Sequence, residues 1–275
     1  MPIPNGTLLN AIPGMLAANI ANYNSPANRR GAFYNTEYQN YIQTRNTGLA
    51  NFGGLSGWVT SGGASHAIWA LLNSFGMNAR NSRLVAIYVL HTNLTQLTAQ
   101  INPATLNWLS TLALPLQNSP PLIPGPIAGT TLVNALQTVY CYLEQRGSVT
   151  NSGGFAAASK VMHCLFPDLV PIIDGKHLGR SYYHIRRNTY LPPMRLANWA
   201  AWLGAPMNGN PNPSPQGAGR QLWGWHQFVA AIGINQHIYE LWQNANGAPG
   251  QHAFLALDQT GGSTGIPRLI DKGLW

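Results

Sequence analysis

The sequence predicts a mainly α-helical protein, a helical bundle in two lobes, and three observations carry that expectation. Apolar residues recur at helical spacing through much of the 275 residues, while strand-like alternation is scarce. Proline and glycine clusters fall largely between those periodic segments, and nothing repeats at a fixed period. The length is enough to bury a core as one large domain or two smaller lobes. The expected arrangement is a single globular unit with an N-terminal helical lobe over 1–118 and a second lobe over 130–275.

The elements follow in order. Leu8, Leu9, Ile12, Leu16 and Ile20 mark a helix over Thr7 to Tyr23, interrupted at Pro13-Gly14. Ser25 to Asn51 is polar and aromatic. Its Arg29-Arg30, Phe33, Tyr34, Tyr38 and Tyr41 suit contacts to a nucleic-acid backbone and bases, and an irregular segment packing its rings on the core is the plainer alternative. Asn51 to Ala64 is glycine-rich and reads as a loop, extended around Trp58. It is no phosphate-binding loop, because no Gly-Lys-Ser/Thr follows. Ser65 is placed to cap a helix bearing Ile68, Trp69, Leu72 and Phe75, and Ser82 one bearing Leu84, Ile87, Leu94 and Leu97. His66 and His91 read as structural. Pro103 suits the first turn of a further helix. Gln117 to Gly129, with four prolines, is a connector. Thr130 or Thr131 then starts an amphipathic helix through Leu143. Late in the chain come a Trp-bearing helix around Leu196–Leu203, a low-complexity loop over 204–219, and helices from Gln221 and from Asn235.

Only 8% of residues are charged, against roughly 25% in typical soluble chains. The net charge of +8 nevertheless arises from 15 Lys+Arg over 7 Asp+Glu. Arginine, the better fork for phosphate oxygens, supplies most of the cations. A pI near 9.8 favours a polyanionic partner, nucleic acid first and anionic membrane second. Cys141 and Cys164 lie in no metal-ligand spacing and read as buried free thiols. No run approaches the roughly 18 apolar residues of a membrane span, and the opening MPIPNGTLLN lacks a signal-peptide pattern. The expectation is a cytoplasmic monomer with no metal, no cofactor and no membrane association.

The chemistry concentrates in Phe155 to Arg187. Ala156 to Ala158 open a helix that Pro167 stops, a short apolar run follows, and Asp174 is placed to cap a second, basic helix. Lys160, one of three lysines, sits among alanines and apolar residues. Desolvation there lowers an amine's pKa toward a usable nucleophile. Asp174 stands before Lys176, His177, Arg180, His184, Arg186 and Arg187, a carboxylate facing a positive surface.

In these residues the chain resembles the helix-hairpin-helix DNA glycosylase superfamily, particularly its 8-oxoguanine glycosylase branch. Ser159-Lys160-Val161-Met162-His163-Cys164 looks like that family's lysine helix, and Val170-Pro171-Ile172-Ile173-Asp174 like its approach to the essential aspartate. The two residues stand 14 positions apart, about one helical turn closer than is usual in the family. The resemblance covers residues 155–187 alone. It implies a two-lobed glycosylase fold, a double-stranded DNA partner, Lys160 as an amine nucleophile and Asp174 as the essential carboxylate. His163 and Cys164, on the lysine helix, are candidates to line the substrate pocket. Lys176, His177, Arg180, Arg186 and Arg187 are candidate DNA contacts. The implied activity is DNA N-glycosylase in base-excision repair, with a lyase step if Lys160 forms a Schiff base. Two alternatives stand beside it: a non-catalytic nucleic-acid-binding protein on the same scaffold, and a protein-interaction module.

Overall fold

The computed structural model describes residues 7–79, 83–116, 123–173, 218–260 and 263–274. Helices follow one another as α1 Thr7–Asn24, α2 Arg29–Asn51, α3 Leu55–Thr60, α4 Gly63–Ser74, α5 Ile87–Ile101, α6 Pro103–Leu109, α7 Leu132–Leu143, α8 Phe155–Leu165, α9 Ala218–Ala245, α10 Gln251–Leu255 and α11 Ile266–Leu274. Among the described residues extended pairing is limited to the isolated bridges Leu84–Thr150 and Pro124–Thr131. The mainly helical class is therefore as expected. Two compact units divide the chain, one from Pro26–Leu112 and Pro124–Phe166, the other from Met1–Ser25, Ala113–Ile123 and Pro167–Trp275.

The first unit holds α2 to α8. Asn28 starts α2 by accepting the Gly31 amide on its side-chain oxygen at 3.0 Å, so the polar aromatic segment is one long helix and not an irregular stretch. Gly31, Tyr38, Tyr41, Ile42, Arg45 and Gly48 fall on its buried side. The glycine-rich stretch after it also differs from its expected loop. Trp58, on α3, is buried because two glycines let their backbones meet its indole: a Cβ on Gly48 would lie 2.3 Å from Nε1, and one on Gly63 2.5 Å. These glycines serve close packing, which a reading of them as loop residues overlooks. Ser65 lies inside α4, whose N-cap is Gly62, and its hydroxyl donates to the Gly62 carbonyl. Pro103 does open α6, with the Asn102 side chain accepting from Ala104. Thr131 does cap α7, which buries Leu132, Leu136, Val139, Tyr140 and Leu143 along one stripe.

The second unit holds α1 and α9 to α11. α1 runs unbroken through Pro13. Its buried Ile12, Leu16, Ile20 and Tyr23 keep one helical phase across the proline, and packing on α9 and α11 holds the turn that the missing amide weakens. The two helices expected from Gln221 and Asn235 are one, α9. Trp225, Phe228, Ile232, Tyr239 and Trp242 share a buried face, so nothing in the pattern calls for a break. Trp225 stacks on Phe228 at 5.8 Å between ring centroids and belongs to the core. α11 is buried along its whole length. A Cβ on Gly273 would lie 2.4 Å from a Leu16 methyl, so that glycine sets how closely α11 approaches α1. The Gly273 carbonyl accepts from Asn19 at 2.8 Å. Among the described residues no helix is long and apolar enough to cross a membrane.

Candidate functional site on helix α8

α8 begins after Gly154, whose φ of +124° suits glycine alone. Three alanines carry it into a run from Ala157 to Leu165 in which every residue is buried. Lys160, His163 and Cys164 stand at positions i, i+3 and i+4, so they share one side of this helix. Lys160 retains 8% of its surface, whereas His163 and Cys164 retain almost none.

What fixes this helix is α2. Its Tyr38, Tyr41 and Arg45 recur at helical spacing and meet the last turn of α8. A helix leaves its final carbonyls without intrahelical partners. Here Tyr41 donates its hydroxyl to the Cys164 carbonyl at 2.6 Å, and Arg45 Nη2 donates to the Leu165 carbonyl at 3.0 Å. A guanidinium at a helix C-terminus also meets the negative end of the macrodipole favourably. The Tyr38 hydroxyl lies 2.8 Å from His163 Nε2, and the two rings sit 5.4 Å apart. The imidazole is thus held by a phenol in a buried setting.

The electrostatics sort the groups by what they can do. Burial pushes the Cys164 thiol up to about 12, against the opposing pull of Arg45 and Lys160. A thiol so raised is not a nucleophile at neutral pH. Burial, reinforced by Cys164, raises the Tyr41 phenol well above its usual value, so it stays protonated and keeps donating. Lys160 is near enough for its charge to act on Cys164. The arrangement supplies a lysine on a rigid, capped, largely apolar helix, flanked by an inert thiol and a tethered imidazole. Among the described residues no group of three or more His, Cys, Asp or Glu could hold a metal ion.

Of the residues singled out in the sequence, Lys160, His163 and Cys164 come together. Asp174, Lys176, His177, Arg180, Arg186 and Arg187 lie outside the described residues, as do the helix expected from Asp174 and the Trp-bearing helix after it. Sequence reasoning does not place Tyr38, Tyr41 and Arg45 at this site. Their signal is the spacing 38, 41, 45 behind an Asn cap, a buried stripe written in tyrosine and arginine instead of leucine. No family model matches the chain, and no curated protein or solved structure matches it.

Proposed function

We propose that this chain is a base-excision enzyme of the DNA glycosylase kind, acting as a cytoplasmic monomer on a modified or damaged base in double-stranded DNA. The observation that carries the reading is Lys160: a lysine 8% exposed, on an apolar helix whose C-terminal carbonyls are pinned by Tyr41 and Arg45. The neutral amine is the nucleophilic form, and the proposed attack uses it. The target nucleotide leaves the stack. The Lys160 amine attacks the sugar C1′ as the bond to the base breaks, and the base departs with the bonding pair. Asp174 stabilises the positive charge that grows on the sugar ring and accepts a proton from the attacking nitrogen. Loss of the ring oxygen bond then gives a Schiff base, from which elimination of the 3′ phosphate cleaves the strand. Where water attacks in place of Lys160, Asp174 takes the water's proton and the reaction ends at base release. Lys176, His177, Arg180, Arg186 and Arg187 are assigned to phosphate contacts.

The test is base release from a panel of damaged duplexes. Asp174→Asn keeps the side chain's size and removes the charge, and we expect excision to fall on the order of 100-fold or more. Wild-type excision by a folded Asp174→Asn protein contradicts the reading. A second reading, a non-catalytic nucleic-acid-binding protein, is favoured by Arg29, Arg30, Arg83 and Arg146, which are exposed while Lys160 is not. Duplex binding without release of any base in the panel would select it.

A further inference from the structure

The solvent side of α2 carries two features that folding alone does not require. Arg29 and Arg30 occupy its first turn, where no acidic residue stands and where cations oppose the helix macrodipole. Phe33 is left 48% exposed one turn on. The rings are organised: Phe33 and Tyr34 lie 5.7 Å apart, and Tyr34 meets Phe75, just beyond α4, edge-on at 5.0 Å. Arg30 joins them, with Nε donating to the Tyr34 hydroxyl at 3.0 Å and its guanidinium carbon 5.4 Å from the Tyr34 centroid.

We propose that Arg29, Arg30, Phe33, Tyr34 and Phe75 form a docking surface for single-stranded nucleic acid, with the guanidiniums on phosphates and the rings on unstacked bases. Charge complementarity names the partner's sign, since two arginines face solvent here. The rings name its form, because base faces are available to aromatic side chains only where a strand is not paired and stacked. An anionic membrane fits less well. An interfacial helix needs an apolar face, and the exposed positions of α2 from Thr36 through Thr47 are Thr36, Asn40, Gln43, Thr44, Asn46 and Thr47. The surface does not depend on Lys160 or Asp174, so loss of base release leaves it standing.

The probe is a fluorescein-labelled 20-nucleotide oligo(dT), titrated by anisotropy over a range of salt, with a matched duplex and phosphatidylserine vesicles in parallel. Phe33→Ala should lower oligo(dT) affinity about tenfold with its salt slope unchanged, and Phe33→Trp should restore it. The double substitution Arg29→Gln, Arg30→Gln should flatten the slope of log K against log salt by about 1.4, since each single-strand phosphate contact contributes about 0.7. Thermal melts of the three variants at wild-type values attribute these changes to the surface. Wild-type oligo(dT) affinity in both the Phe33→Ala and the arginine variants overturns the proposal. So does vesicle binding without oligo(dT) binding, or a Phe33→Ala variant that loses only self-association.

Discussion

Lys160 and Lys272, the two lysines among the described residues, are both buried, and the chain holds them in different ways. Lys272 is 0% exposed and belongs to a charge network at α11. Its Nζ donates to Asp258 Oδ2 at 2.5 Å, while Asp258 Oδ1 accepts from Asn24 at 2.8 Å and from Thr260 at 2.7 Å. One turn earlier Arg268 pairs with Asp271 and reaches the Tyr23 hydroxyl at 3.3 Å. The Arg268 and Lys272 cations lie 5.6 and 6.0 Å from the Tyr23 ring centroid. Lys160 instead stands on the side of α8 that carries His163 and Cys164, and its charge acts on Cys164. The contrast teaches that burial alone does not mark a lysine for chemistry. Lys272 pairs with a carboxylate that Asn24 and Thr260 also hold, and it serves the fold. Lys160 stands on the mostly apolar helix α8 beside His163 and Cys164, where we propose an amine nucleophile.

Breaking the α11 network should have the largest effect. Asp258→Ala leaves Lys272 buried beside no carboxylate at that position, and we expect a loss of about 3–5 kcal/mol, read from urea unfolding. The same pair gives the protein an acid limit. Burial acts to raise the Asp258 carboxyl, but the hydrogen bonds from Lys272 and Thr260 outweigh it and hold the group down at about 2. Burial also draws the Lys272 ammonium below its usual value while Asp258 resists. The carboxylate governs the acid behaviour, because its ionised form accepts from Asn24 and Thr260 as well as Lys272. With the folded value depressed, the contribution is complete above the unfolded carboxyl's value of about 3.9. It is then lost as pH falls through about 2. Thermal melts between pH 7 and 2 should show this decline in the wild type and a flatter profile in Asp258→Ala.

The α2–α8 junction should respond less. Arg45→Met removes a charged donor from the Leu165 carbonyl, and a hydrogen bond to a charged group is worth about 1.5–3 kcal/mol. Tyr41→Phe removes a neutral donor from the Cys164 carbonyl and should cost about 1 kcal/mol. Both are measured by the same unfolding titration. If either variant instead matches Asp258→Ala, the junction is more than a capped helix end. The smallest effect is chemical: in the folded protein at pH 7, half-buried Cys141 should react with a thiol reagent well before Cys164, and both should react together once unfolded.

How much of this was legible in the sequence depends on where each partner lies. α6, α7 and α8 carry local signals, a proline at the first turn, a threonine cap and an alanine run before Pro167, and they fold where those signals place them. α2 hides its buried stripe in Tyr38, Tyr41 and Arg45, residues that periodicity analysis weighs as polar. α3 hides behind glycines whose purpose is contact with Trp58. In α11, Arg268, Asp271 and Lys272 look like a solvated face, and only Asp258, Tyr23 and their hydrogen bonds make them interior. At the candidate site the position of Lys160 on a helix is a local fact. The hold on that helix comes from residues more than a hundred positions earlier, which no local spacing reveals.

Borohydride trapping tests the central claim, Lys160 as an amine nucleophile, most directly. Incubated with the panel of damaged duplexes and reduced, the wild-type chain should form a covalent protein–DNA adduct that peptide mapping places on Lys160, and Lys160→Gln, folded by its thermal melt, should form none. An adduct of wild-type yield in Lys160→Gln, or no adduct from a wild-type chain that releases base, would contradict the assignment.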